Sequence, residues 1–126
     1  MEPENEIQDE FNRKFLIQVL EFLAADPDAQ VREFPESNAV PELLTLLWHE
    51  GYEENRDVFE AGLVTMPELE KLRTLAGVFG KICTPGRTEV WTNAALERAP
   101  DWEQVRGIAR DLLRSLNGSS TPAKAP

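Results

Sequence analysis

At 126 residues, with 41% apolar side chains and three Trp against 29% charged residues, the chain is long enough to bury its own core and too apolar to stay disordered. Its formal charge of −10 is unevenly placed: residues 1–70 carry 18 acidic and 4 basic side chains, a balance of −14, while residues 71–126 carry 5 and 9, a balance of +4. A single cysteine, Cys83, excludes an internal disulfide and a thiolate zinc cluster, and no apolar run approaches the roughly 18 to 20 residues of a membrane helix.

The acidic start, MEPENEIQDE, has neither the basic region nor the apolar run of a secretory leader. The expected location is therefore the cytoplasm, where a lone thiol stays reduced. Asn5 caps a first helix, with Gln8 three residues on in an imperfect capping box. It runs to about residue 25 and is stopped by Asp26 and Pro27. Ile7, Phe11, Phe15, Val19 and Phe22 recur at three- and four-residue spacing with Leu16, Leu20 and Leu23 beside them, which predicts a wide buried stripe touching two neighbours.

Residues 26–38 form a connection holding one helical turn or a short extended piece around Val31 and Phe34. Asp26 and Asp28 do not open a calcium loop, because Val31 stands where that loop needs Gly and Ser37 where it needs Glu. A second helix begins near Asn38, accepts Pro41 in its first turn and ends at Gly51. His49 lacks the second histidine of a zinc-binding HExxH helix, since Glu53 occupies that place.

After Tyr52 the segment EENRDVFEAG makes a short helix closed by Gly62. Glu53, Asp57 and Glu60 share one face. With Glu50 and Glu54 they form the densest acidic cluster of the chain, which reads either as a solvated surface or as a docking face for a basic partner.

The stretch Thr65–Trp91 looks like the organising element. Thr65 and Glu68 make a full capping box, with Met66 and Pro67 between them. Leu69, Leu72, Leu75, Ala76 and Phe79 follow helical spacing, and Ile82 and Cys83 continue it, which places Cys83 on a buried stripe. Gly77 and Gly80 either end that helix or permit a close backbone approach. Two readings of residues 78–92 compete. In one the helix reaches Cys83 and TPGR is a plain interhelical turn; in the other it stops near Gly77, and GKIC and TEVW pair as a small β-hairpin between residues 80 and 92.

Thr92 or Asn93 caps a short helix ended by Pro100. Asp101 caps a last one, in which Trp102, Val105, Ala109, Leu112 and Leu116 hold one face in the core. Asn117 and Gly118 supply its stop, and residues 118–126 read as a disordered tail. The expected fold is mainly α: a compact single-domain bundle of about five helices over residues 1–117.

No catalytic, cofactor or metal motif emerges. Cys83 and His49 lie in different elements, and TPGRT lacks the pattern of a phosphate loop. The functional expectation is a non-enzymatic acidic interaction domain needing no cofactor, such as an inhibitor or immunity protein, an export chaperone or an assembly subunit, a list that fold and charge alone do not narrow. In that reading Glu50, Glu53, Glu54, Asp57 and Glu60 steer a basic protein partner and Trp48 or Tyr52 supplies an anchor. The alternative is a nucleic-acid-binding, winged-helix-like module with Arg106, Arg110 and Arg114 at successive i+4 positions and Arg87 on the wing.

Overall fold

A computed structural model describes the backbone of residues 3–124 and the side chains of residues 7–118. Its elements are α1 (Pro3–Ala24), α2 (Pro27–Glu33), α3 (Val40–Gly51), α4 (Arg56–Val58), α5 (Met66–Ile82), α6 (Asn93–Arg98) and α7 (Pro100–Lys124), with a 3-10 turn (Glu53–Asn55) before α4 and a π-helical turn (Phe59–Leu63) after it. Among the described residues there is no strand, and the fold is mainly α.

The last helix has the most extensive packing of the bundle. α7 runs along α1, α5 and α6, and α1 also packs on α3. α1 and α7 are antiparallel: Arg13 Nη2 donates to Leu116 O at 3.1 Å, and Arg110 Nε donates to Ala24 O at 2.9 Å nearer the other end of α1. The wide apolar pattern of α1 thus serves two neighbours, through Leu16, Val19, Leu20 and Leu23. Ile7 and Phe11, expected in the same buried stripe, are instead 70% and 59% exposed. At about 100° per residue they fall on the side of the helix away from Leu16 and Leu20, and the bundle closes on the leucine side.

Local chemistry explains most helix starts. Asp26 is extended and Pro27 opens α2, where its fixed φ suits the first turn. α3 has no side-chain cap of its own; the first N–H, of Val40, is satisfied by Asn93 Oδ1 at 2.8 Å, while Asn93 Nδ2 donates to Ser37 O at 3.1 Å. At α5 the capping box forms, with Glu68 N donating to Thr65 Oγ1 at 3.3 Å and Thr65 N to Glu68 Oε1 at 3.0 Å. Glu68 is buried and its other oxygen accepts from Ser115 Oγ at 2.6 Å, so the cap also ties α5 to α7.

The hairpin does not form. α5 continues through Gly77 and Gly80 to Ile82, and residues 83–92 are turns, with Gly86 at φ +93°. Phe79 and Ile82 extend the buried row of Leu72 and Leu75, and burying those side chains outweighs the roughly 1 kcal/mol that each helical glycine costs. Neither glycine marks a close approach, since a Cβ at either would meet nothing within 4 Å. Cys83, expected on the buried stripe, is exposed just beyond the end of α5.

α7 passes through Asn117 and Gly118 to Lys124, so the stop expected there is not where the helix ends. Gly118 does not take the left-handed conformation that such a stop requires. The side chains from residue 119 onward and the last two residues lie outside the described ones, and the order of the expected tail lies there with them.

Gly77→Ala and Gly80→Ala should each stabilise the fold by about 0.5–1 kcal/mol. Gly51→Ala should do the opposite, because its Cβ would lie 2.8 Å from Val19 Cγ2 in the α1–α3 seam. Urea unfolding midpoints of the three variants check both signs.

Candidate functional site

The acidic segment Glu50–Glu60 hangs on a column of aromatic rings. Trp102 meets Phe79 edge-on at 5.8 Å, Phe79 stacks with Trp48 at 5.2 Å, Trp48 with Tyr52 at 4.9 Å, and Tyr52 with Phe59 at 5.6 Å. The column runs from α7 through α5 and α3 to the π-helical turn and holds the bent backbone after Gly51 in place. Trp48 and Tyr52 are 2% and 1% exposed. The anchor role expected for them has no surface to act through, because their faces are used against other rings.

Two polar atoms are left over inside this column. Trp48 Nε1 and Tyr52 Oη have no hydrogen-bond partner among the described residues. Burial pushes the Tyr52 phenol above its ordinary pKa, opposed by the nearby Arg56 charge. The Arg56 guanidinium sits 5.8 Å from the Tyr52 ring centroid and pairs with Glu53.

Glu50, Glu54, Asp57 and Glu60 are exposed and Glu53 is half-buried. Beyond the Glu53–Arg56 pair, Glu54 lies 3.7 Å from His49 and Glu60 3.7 Å from Arg73. Exposed pairs at such distances contribute little, and the segment keeps its negative character. It is not isolated: Gln8, Asp9 and Asn12 of α1 line one groove together with Val58, Ala61, Gly62 and Leu63. That groove joins the Gln8 and Asn12 side of α1 to Val58 and to the turn that follows the acidic segment; Ile7 and Phe11 are exposed elsewhere on α1 and do not line it. Among the described residues Phe11 stacks on its own-helix neighbour Phe15, at 6.0 Å. Sequence reasoning missed Ile7 and Phe11 as surface residues, although α1 has more apolar positions than one core face can take.

The basic residues are occupied differently. Arg87 makes a two-pronged contact with Asp101, at 3.1 and 3.0 Å, and also donates to Glu89 at 3.1 Å and Lys81 O at 3.2 Å. Arg106 donates to Leu96 O at 3.1 Å, and Arg110 to both Ala24 O and Asp26, the latter at 2.8 Å. Lys81, Leu96 and Ala24 all lie in the last turns of their helices, where carbonyls lack an intrahelical partner. Arg87, Arg106 and Arg110 therefore act as remote caps. Arg114 pairs loosely with Asp111 at 3.4 Å. The wing expected to carry Arg87 is a turn.

These contacts set the charge states. Hydrogen bonds to Asp101 and then Glu89 hold the Arg87 guanidinium above its usual pKa, and Arg87 in turn holds the Asp101 carboxyl below the usual carboxylate range. Burial lowers Arg106. Partial desolvation raises the Cys83 thiol, which makes its nucleophilic thiolate scarcer at neutral pH. Among the described residues no three or more of His, Cys, Asp and Glu converge as metal ligands do. Comparison with protein-family models, curated proteins and solved structures finds no match for this chain.

Asp101→Asn should lower the Tm at neutral pH. Because the folded-state pKa of Asp101 is depressed, its contribution is present above about pH 4 and is lost as the pH falls through the lowered value, so variant and wild type should converge in strong acid. Tyr52→Phe removes a hydroxyl without a partner and should leave stability unchanged or raise it by up to about 1 kcal/mol. The raised phenol pKa also makes wild-type stability fall as the pH climbs above about 10, and the variant should lose less there. Denaturant unfolding at neutral and alkaline pH reads both effects; a clear loss of stability in Tyr52→Phe at neutral pH would show that the hydroxyl is bonded.

Proposed function

We propose that the protein is a non-enzymatic cytoplasmic interaction domain that binds a basic protein partner, in the manner of an inhibitor or immunity protein, an export chaperone or an assembly subunit. The observation that supports this reading is the run of exposed acids in Glu50–Glu60, whose backbone is pinned to the core by Trp48, Tyr52 and Phe59, on a molecule that also exposes Ile7 and Phe11 of α1. Apolar side chains without cover supply affinity once a partner desolvates them. Exposed carboxylates on the same molecule speed the encounter with a cationic surface and orient it.

In this reading Trp48 and Tyr52 contribute from beneath, by holding the backbone that displays Glu50, Glu53, Glu54, Asp57 and Glu60 in one conformation. A display that is already ordered loses less entropy on binding. The nucleic-acid alternative draws little support from Arg87, Arg106 and Arg110, whose donors already serve oxygens of the protein itself.

The test is kinetic. A partner recovered from the native source and identified by mass spectrometry is measured against wild type, Glu54→Lys/Asp57→Lys and Phe11→Ala. The charge reversal should slow association by about tenfold at low salt, an effect that fades as salt screens it, and Phe11→Ala should raise the dissociation rate. Rates and salt dependence that match wild type in both variants would overturn the proposal.

A further inference from the structure

The groove between α1 and the π-helical turn has a volume of about 500 Å³. One wall is the Gln8, Asp9 and Asn12 side of α1; the other is Val58 with Ala61, Gly62 and Leu63. The second wall is largely apolar, with Val58 and Leu63 half-buried and Ala61 exposed. Gly62 adds bare backbone to it: at φ +123° a side chain would be strained, and a Cβ there would meet nothing within 4 Å. No lysine or arginine lines the groove, whereas Asp9 does and is exposed. Asp57 and Glu60, also exposed, directly precede Val58 and Ala61 in the chain.

Asn12 sets this groove apart from an ordinary acidic surface. It is 4% exposed, and its amide makes one hydrogen bond, in which Gln8 Nε2 donates to Oδ1 at 3.1 Å. Its Nδ2 has no partner among the described residues. Nor is that atom sealed from solvent, as the unpartnered Gln30 Oε1, Trp48 Nε1 and Tyr52 Oη are. On a residue that lines the groove, the free atom opens into it. Turning both amides over would keep the Gln8 contact and leave Oδ1 free instead. Either way a buried amide presents one unsatisfied atom to the groove, and a ligand that both donates and accepts meets it.

We propose that this groove receives an extended main-chain segment of the basic partner. One peptide group of the segment pairs with the Asn12 amide, because a peptide carries an N–H and a C=O together. A helical segment would not serve, since its main-chain groups are already bonded to one another. An apolar side chain of the segment rests on Val58, Ala61 and Leu63, and Gly62 lets the main chain come close. Flanking lysines or arginines meet Asp9 and the acids that adjoin the opposite wall. The inference rests on the reading of the protein as a docking domain for a basic partner, and it names the part of that partner which is held.

The test uses the full chain and a small probe. ¹⁵N-labelled protein is titrated with acetyl-Lys-Val-Lys-amide and, in parallel, with acetyl-Glu-Val-Glu-amide. The lysine peptide should shift the Asn12 side-chain amide and the backbone amides of Ala61, Gly62 and Leu63 saturably. The glutamate peptide should bind at least about fivefold more weakly, because like charges meet. Asn12→Leu keeps the branched shape and loses both polar atoms. It should bind the lysine peptide about fivefold more weakly, with a urea midpoint unchanged or raised. A lowered midpoint would mark Asn12 as structural and overturn its role in binding. Ala61→Arg, at an exposed position that leaves the fold intact, fills the groove and should abolish the shifts. No saturable shift at Asn12 and residues 61–63, an equal response to the glutamate peptide, or full affinity in either variant would overturn the peptide groove. Since the probe needs no partner, saturable groove shifts alongside unchanged partner kinetics in Glu54→Lys/Asp57→Lys would leave the groove standing and remove the acidic docking face. The reverse pattern would remove the groove alone.

Discussion

A carbonyl in the last turn of a helix has no partner within that helix, and in this protein arginines from distant parts of the chain supply several of the missing donors. Arg110 closes the end of α1, Arg106 that of α6, and Arg87 that of α5 while gripping Asp101 in the first turn of α7. Each joins two elements that the apolar core has already brought together. The consequence reaches the surface. Three of the nine cations of the basic second half, Arg87, Arg106 and Arg110, are engaged at helix ends, and among the described residues the carboxylates between Glu50 and Glu60 pair with Arg56, Arg73 and His49.

The aromatic column gives that acidic segment its fixed place. The segment is irregular, passing from a 3-10 turn through α4 to a π-helical turn and a positive-φ Gly62, and its own hydrogen bonds would not define one shape. Tyr52 and Phe59 plug it into the core, and Trp48 and Phe79 carry the contact on to Trp102. Two unpartnered polar atoms, Trp48 Nε1 and Tyr52 Oη, oppose this arrangement. Ring stacking and the burial of five large side chains outweigh them. The proposed docking face is thus a rigid display on a bundle.

What could be read from the residues was what short-range physics decides. The Thr65–Glu68 capping box, Pro27 and Pro41 in first turns and the apolar rows of α5 and α7 depend on neighbours three or four residues away, and they stand where their spacing puts them. The reach of α5 was undecided because Gly77 and Gly80 argue locally for an end, while Phe79 and Ile82 argue for continuation only once α7 is there to bury them. Cys83 follows the same row in sequence yet falls past its last covered turn.

The sequence by itself determined a mainly helical fold, the start of α5 at its capping box and a −14 half set against a +4 half. Tertiary structure alone decided which apolar positions are covered: Ile7 and Phe11 share the periodicity of α1 with Leu16 and Leu20, but helices pack on one side of it and leave the other open. It alone made Trp48 and Tyr52 core residues rather than surface anchors. It also chose the partners of Arg87, Arg106 and Arg110 and left Gln30 Oε1 without one. The physical reason is common to all of these. Periodicity specifies the faces of a helix, whereas burial and hydrogen-bond satisfaction depend on which other helix arrives, and for Arg110 and Ala24 that meeting joins residues 86 positions apart.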